Sequence, residues 1–202
     1  MVDEMTPRER KAADIRARVL ASATARIERD GLESLRARDV ASDAGIALGS
    51  IYKHFPDFDA LVLTVNSDTL ARMSAALREA AEGVDEPARR LERLALAYLA
   101  FAESHTHRWA ALFEHRMARA APVPDWHLAD HEPLFRLIAE PVAALAPDLD
   151  EAARAVRTRT VFAAVHGVVT LALQDRFVGV PRGALEDEVT MVARGLVRGL
   201  RE

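Results

Sequence analysis

The sequence predicts an all-α protein of about nine helices. Apolar residues recur at helical spacing, every three to four positions, along most of the 202-residue chain. Thr6-Pro7-Arg8-Glu9 has the pattern of a capping box with proline at the first helical position. No run alternates apolar and polar residues for long, and the Asn-Gly dipeptide of a tight hairpin does not occur. Helices packed on helices are therefore the expected architecture.

Four helices are expected in the first 81 residues. The first starts after Thr6, carries an apolar stripe that includes Val19 and Ile27, and ends at Asp30-Gly31. The spacing then predicts two short helices, followed by a long one that starts after Pro56-Asp57 and is expected to connect two domains; their predicted ranges are 37–44, 48–54 and 58–81.

Five more helices are expected after a boundary near residues 82–87. Prolines, loop sequences and box-like caps delimit them, and Pro141 is expected to kink one of them. They are predicted from Pro87 onward, at 107–119, from about His131, from the Asp148-Leu-Asp-Glu151 cap to about Phe177, and over 185–200; residues 121–125 are expected to form a loop. The predicted domains are residues 1–57 and 58–202.

Composition and charge exclude several classes of protein. The chain has no cysteine, so disulfides and thiolate metal sites are excluded, and a cytoplasmic location is expected. The charged N-terminus is unlike a signal peptide, and the apolar stretch 161–173 is expected to be too short to span a membrane. The net charge of -4 excludes a uniformly basic nucleic-acid protein. Residues 1–55 nevertheless hold 10 basic and 9 acidic side chains, so a polyanion would prefer this end.

Residues 37–55 have the pattern of a helix-turn-helix. Small Ala41 and Ala44 allow two helices to cross closely, and Gly45 suits the turn between them. With Ile51 and Phe55 directed to the core, the second short helix presents its other side chains outward, as a helix that enters the major groove of DNA would. These candidate DNA-binding residues are Ala47, Leu48, Ser50, Tyr52, Lys53 and His54.

The chain resembles the TetR/AcrR-type bacterial transcriptional regulators in this region. Their pattern, an Ala-Gly turn followed by a Gly-x-Leu-Tyr-x-His-Phe segment, is matched here by Ala44-Gly45-Ile46, Gly49, Ile51-Tyr52 and His54-Phe55. The resemblance extends over about residues 9–65. A looser resemblance to one class of C-terminal domain in the family rests on the His-Gly pair within VFAAVHGVVTLAL. The resemblance to the family as a whole implies a DNA-binding regulator, most often a repressor, with no enzymatic activity and no cofactor.

The sequence departs from the family pattern at four positions. Ala47 replaces the serine before the recognition helix, so a capping hydrogen bond is lost, and Leu48 follows where a polar residue is common. An exposed leucine there is suited to contact a thymine methyl. Arg36 replaces the usual Ser/Thr at the start of the second helix and, with Arg38, is a candidate phosphate contact. Phe58 replaces a lysine, so one expected phosphate contact is missing.

The resemblance also implies a ligand cavity in the C-terminal domain. Aromatic and apolar side chains on several helix faces are candidates to line it, with core packing as the alternative for each one. His166 is included because an imidazole within so apolar a run needs a partner. The predicted ligand-binding residues are Tyr98, Phe101, Trp109, Phe113, Met117, Phe135, Phe162 and His166.

The prediction is therefore a homodimeric regulator that binds a pseudo-palindromic DNA operator and responds to a small apolar molecule. The dimer is expected to form through the last two helices, whose Gly167, Gly195 and Gly199 allow close approach. One alternative is a sensor or interaction module that has lost operator binding, given Ala47, Leu48 and Phe58. A less favoured alternative is a helical metal enzyme built on the pairs His105/His107 and His127/His131, although solvated histidines explain both pairs and no metal site is predicted.

Overall fold

The structure is a computed structural model that describes residues 6–117, 122–174 and 178–202. Those residues form helices and no strands. The α-helices are α1 Pro7–Asp30, α2 Ala37–Asp43, α3 Leu48–Ile51, α4 Phe58–Ala80, α5 Pro87–Ser104, α6 Thr106–Glu114, α7 Asp125–Ala129, α8 Glu132–Leu145, α9 Glu151–Leu173 and α10 Leu185–Arg201; short 3-10 turns cover Leu32–Ser34 and Arg182–Ala184.

The predicted all-α fold is confirmed, and each predicted helix is present. The Thr6 hydroxyl accepts a hydrogen bond from the backbone N–H of Glu9, whose carboxylate accepts one from the Thr6 N–H, so the capping box forms as expected. Asp150 caps α9 by accepting from the Ala153 N–H. Two helices end earlier than predicted: α6 ends at Glu114 and α9 at Leu173, whereas the predicted ends, residue 119 and Phe177, lie outside the described residues.

Two further local features differ from the predictions. Helix α3 ends at Ile51, and residues 52–54 continue as turns, so the recognition segment is shorter than expected. Helix α7 was not predicted; it has only five residues and starts at Asp125, the last residue of the predicted loop 121–125. Pro141 lies inside α8 as expected, where it removes one backbone donor without ending the helix, and the kink there stays a prediction.

The chain divides into two compact units. The first comprises residues 1–69 and 107–127, and the second comprises residues 70–106 and 128–202. The first half of α4 and most of α6 thus belong with the N-terminal helices, whereas the predicted boundary was at residue 57. That predicted boundary followed sequence order, while the packing joins segments that are distant along the chain.

Each unit has its own apolar core. In the first unit α1 contributes fully buried Val19, Ala23 and Ile27, which pack with Val40, Ile51 and Phe55 of the helix-turn-helix. In the second unit α5, α8, α9 and α10 pack together around Leu91, Val142, Val161 and Val197. The short helices of the first unit are therefore positioned by burial against α1 rather than by their own stability.

Helix α9 is longer than its apolar stretch. Among the described residues it is the one helix whose length and composition suffice to cross a membrane. A core helix of a globular domain passes the same test. Here Val161, Val165 and Val169 are buried within the second unit.

Candidate DNA-binding face and ligand cavity

The turn between α2 and α3 depends on Gly45. Its φ is +65°, in the left-handed region that side chains other than glycine rarely adopt. The Ile46 N–H donates to the carbonyl of Ala41 at 3.0 Å, which closes the turn. Downstream, Ile51 and Phe55 are 0 % and 2 % exposed and fix the orientation of α3 against α1.

Polar contacts from α1 hold the C-terminal end of α2. Arg26 donates two hydrogen bonds to the Asp43 carboxylate, at 2.6 and 2.9 Å, and the Ser22 hydroxyl donates a third at 3.0 Å. The bonds from Arg26 and then Ser22 hold the pKa of Asp43 below its ordinary value. Arg18 donates to the Ala44 carbonyl at 2.6 Å, at the start of the turn. The turn is thus held by polar contacts from α1 and by the burial of the apolar side chains that follow it.

The predicted DNA-binding residues from Ala47 to His54 form one outward surface, called the recognition face below. Leu48 and Tyr52 are 42 % and 48 % exposed, Ala47 and Lys53 are exposed, and Ser50 and His54 are half-buried. Ala47 occupies the N-cap position of α3, and no side-chain hydrogen bond caps this helix, as expected for an alanine there. The structure therefore leaves this face uncovered by the described part of its own unit.

The two arginines at the start of α2 differ from each other. Arg38 is exposed. Arg36 is also exposed, but its guanidinium donates to the carbonyls of Glu33 and Leu35, at 2.6 and 3.0 Å, and so lies against its own backbone. Phe58 packs against the apolar core of the first unit, which explains how the site tolerates an aromatic ring where the family pattern has lysine.

Arg108 on α6 is the buried charged residue that the sequence analysis missed. Its side chain is 1 % exposed, yet it forms ion pairs with Asp68 at 2.7 Å and Glu28 at 3.2 Å. It also donates to the Thr69 hydroxyl at 3.0 and 2.8 Å. A single guanidinium thus links α6 to α1 and α4 within the first unit. Periodicity gave no signal for it, because an arginine beside apolar residues usually lies at the surface.

An apolar cavity lies among α4, α5, α8, α9 and α10 in the second unit. Its walls include Tyr98, Phe162 and aliphatic side chains such as Leu77, Leu91, Leu134 and Ile138. The space between the walls is about 500 Å³ when its open mouth is included. The volume in which the centre of a water molecule can be placed is much smaller, only about 30 Å³. The cavity is therefore narrow, with room for roughly one or two waters.

A polar pair joins α5 and α9 at the cavity. The Tyr98 hydroxyl lies 2.7 Å from His166 Nδ1, and Thr170 Oγ1 lies 3.2 Å from His166 Nε2. Phe162 stacks on His166, with ring centroids 5.4 Å apart, and meets Phe135 edge-on at the same distance. Burial lowers the pKa of His166, so its imidazole is neutral at pH 7. Tyr98, Phe135, Phe162 and His166 are thus brought together, but of these four only Tyr98 and Phe162 line the cavity, while Phe135 and His166 pack behind them.

The other predicted ligand-binding residues lie elsewhere. Phe101 is buried and stacks on His105 at 4.5 Å, without lining the cavity. Trp109, Phe113 and Met117 belong to the first unit, where Trp109 is 1 % exposed and Phe113 is 42 % exposed. Helical spacing identified the apolar face of each helix but not which core that face would join.

The histidines considered for a metal site have other partners. His127 Nδ1 lies 2.9 Å from the Ser67 hydroxyl, and His107 Nδ1 lies 2.9 Å from the Glu28 carbonyl. His105 Nδ1 lies 3.2 Å from the Phe101 carbonyl. Within the described ranges, no group of three or more His, Asp or Glu side chains is placed to hold a metal ion.

Two family models match the chain. The model for bacterial regulatory proteins of the tetR family matches residues 19–65, and that for the tetracyclin repressor-like C-terminal domain matches residues 91–196. The HTH-type transcriptional repressor KstR2 of Mycobacterium tuberculosis is 29% identical over 109 residues. This match covers 54% of each chain, so it spans about half the length of that relative.

Solved structures share the fold over nearly the whole chain. A protein of unknown function from Rhodococcus sp. RHA1 is 28% identical with a TM-score of 0.73, covering 93% of this chain and 96% of that one. The transcriptional regulator FadR from Bacillus subtilis, solved in complex with stearoyl-CoA, is 13% identical with a TM-score of 0.67, covering 91% and 98%. Together with the recognition face and the helical second unit, these matches show that the chain belongs to the TetR family of bacterial transcriptional regulators.

Proposed function

We propose that this protein is a ligand-responsive repressor that binds a pseudo-palindromic DNA operator as a homodimer in the cytoplasm. The observation that carries the proposal is the recognition face, in which exposed Leu48, Tyr52 and Lys53 flank buried Ile51. Side chains held on a helix by its buried face can reach base edges and phosphates in the major groove. The relative KstR2 is described as a transcriptional repressor, which favours repression over activation.

The contacts at this face differ in what they contribute. Lys53 supplies a positive charge for a phosphate, and the Tyr52 hydroxyl supplies a hydrogen bond; both position the protein without reading sequence. Leu48 offers an apolar group suited to a thymine methyl. Base specificity is thus expected to depend on Leu48 and Ser50 more than on charged side chains.

A homodimer is supported by surfaces on α9 and α10. Val156 and Leu171 on α9 are 62 % and 41 % exposed, and Met191 on α10 is 54 % exposed. A side chain added at Gly167 or Gly199 would meet nothing within 4 Å. A second copy that buries these apolar side chains, with its helices close to the glycines, accounts for them and supplies two recognition faces for two operator half-sites.

An apolar effector is supported by the cavity in the second unit. Because the cavity is narrow, a molecule larger than water must displace side chains such as Phe162 to enter. The effector therefore binds an opened form of the unit more tightly than the closed one, which is the condition for shifting an equilibrium. Helix α4, which has residues in both units, is the proposed carrier of this change.

Replacement of Tyr52 by alanine tests the operator-binding proposal. Tyr52→Ala is expected to weaken operator binding without changing thermal unfolding, because the side chain is half exposed. Trp126→Ala is the matched control, since Trp126 is 46 % exposed and lies outside the recognition face. Fluorescence anisotropy with an operator selected from random DNA measures both variants. Equal affinity of Tyr52→Ala and the parent protein would count against the assignment.

A further inference from the structure

The lining residues that the structure describes offer a ligand little polar chemistry. Among the described residues that line the cavity, Tyr98 alone has a polar side-chain atom, and the remaining lining residues are aliphatic or Phe162. Tyr98 is only 4 % exposed. From the described lining, a ligand that enters the cavity therefore meets apolar groups and, at Tyr98, one residue with a hydroxyl.

The Tyr98–His166 pair can adapt its hydrogen bonding. When His166 Nδ1 accepts from the Tyr98 hydroxyl, the phenolic oxygen keeps the chemical capacity to accept from a second donor. When His166 instead carries its proton on Nδ1 and donates it, the Tyr98 hydroxyl keeps the capacity to donate to a second acceptor. A ligand hydroxyl is both donor and acceptor and so suits either arrangement, whereas a group that only donates or only accepts suits one.

The part of the cavity lining that the structure describes carries no charged side chain. No Asp, Glu, Lys or Arg is among the described residues that line the cavity, and burial lowers the pKa of His166 so that its imidazole stays neutral. A carboxylate or phosphate that entered would lose its hydration without gaining a counter-charge. The two aromatic residues of the lining, Tyr98 and Phe162, meet edge-on at 5.7 Å and offer ring surfaces that suit a flat ring.

We propose that the cavity binds an uncharged ring compound that carries a hydroxyl group, which is held by the Tyr98–His166 pair. This inference rests on the proposed function, because it names the chemical class of the effector. It excludes anionic ligands with the charged group at this pair. The binding site opens around Phe162, and the hydroxyl is the one polar group that the cavity recognises.

Three probes of similar size test the proposal: naphthalene, 2-naphthol and 2-naphthoate. In a purely apolar cavity naphthalene would bind more tightly than 2-naphthol, because the hydroxyl would lose its hydrogen bonds to water. With the Tyr98–His166 pair, 2-naphthol is expected to bind at least about fivefold more tightly than naphthalene. 2-Naphthoate is expected to bind at least about tenfold more weakly than 2-naphthol. Isothermal titration calorimetry of the full chain measures the affinity for each of the three probes.

A tyrosine variant and a control variant complete the experiment. Tyr98→Phe is expected to lose the preference for 2-naphthol and to keep the affinity for naphthalene. Trp126→Phe, at a half-exposed position of the first unit outside the recognition face, is expected to change neither. If Tyr98→Phe fails to fold, the order of the three probes on the parent protein still decides the question.

Three results would overturn the inference: tightest binding of naphthalene or 2-naphthoate, a full preference for 2-naphthol in Tyr98→Phe, or no binding of any probe. Operator binding is measured in the same samples. If naphthalene or 2-naphthoate binds best and releases the operator, the inference fails while the proposed function stands. If no operator is bound at all, the proposed function itself fails.

Discussion

Arg108 of α6 and Asp68 of α4 form a 2.7 Å ion pair in which the guanidinium is buried and the carboxylate is about half exposed. Glu28, near the end of α1, binds the same guanidinium from another side at 3.2 Å. Asp68 and Glu28 lie 40 and 80 positions before Arg108 in the sequence. They tie α6 to the helix that supports the recognition face, so α6 is part of the DNA-binding unit.

Arg108→Met is expected to destabilise the protein by about 3 kcal/mol, the lower end of the range for breaking a buried ion pair, because both carboxylates keep access to water. Chemical denaturation measures the free energy of unfolding. Arg116→Met is the control: Arg116 is exposed and follows α6, so its replacement is expected to stay within about 0.5 kcal/mol of the parent. Equal stability of the two variants would show that the buried pairs contribute little.

Alanine substitutions at Gly45 and Gly49 are expected to have opposite effects on stability. Gly45→Ala places a side chain in the left-handed region and is expected to cost about 1–2 kcal/mol, although nothing lies closer to the new Cβ than Arg18 at 3.6 Å. At Gly49 the Cβ meets nothing within 4 Å, so Gly49→Ala is expected to raise stability by up to about 1 kcal/mol. Thermal unfolding compares them. A larger loss at Gly49 than at Gly45 would contradict the account of the turn.

Lys53→Ala is expected to reduce the salt dependence of operator binding. If Lys53 neutralises one phosphate in each protomer, its loss lowers the slope of log affinity against log salt by about 1 per protomer. Arg89→Ala removes an exposed cation from α5 and is expected to leave the slope unchanged. Anisotropy titrations at several salt concentrations give both slopes. If Lys53→Ala leaves the slope of log affinity against log salt unchanged, Lys53 does not contact a phosphate of the operator.

Stability is expected to fall as the pH is lowered from 7.5 to 5.5. Burial lowers the pKa values of His166 and His115 in the folded protein below the ordinary value of 6.5. The unfolded chain therefore binds more protons in this range, so protonation favours unfolding. His166→Gln is expected to reduce the pH dependence, with the contribution of His115 remaining. The free energy of unfolding is measured against pH by chemical denaturation. If His166→Gln and the parent protein show the same pH dependence, His166 is not a buried neutral imidazole.

Much of the fold could be predicted because local chemistry decided it. The Thr6–Glu9 capping box and the Asp150 cap depend on residues three positions apart, which a sequence displays directly. Gly45 and its buried neighbours identified the helix-turn-helix for the same reason. The five-residue helix α7 escaped prediction because so short an element carries no periodicity.

The candidate sites were predictable only in part, because they depend on contacts between distant residues. His166 was identified from its apolar surroundings, but its pairing with Tyr98, 68 positions away, required the packing of α5 on α9. Trp109 and Phe113 have the same helical spacing as the cavity residues, yet they lie in the first unit. Helical spacing shows that a face is apolar and does not show which helix covers it.

Selection from a random DNA pool with the purified full-length protein tests the central claim most directly. The account predicts an enriched palindrome with half-sites about one helical turn apart, bound by two protomers with a steep dependence on salt. Enrichment that is lost with Tyr52→Ala and kept with Trp126→Ala would place the contact at the recognition face. No enrichment from a folded protein, with or without 2-naphthol present, would contradict the assignment of the recognition face as an operator-binding surface.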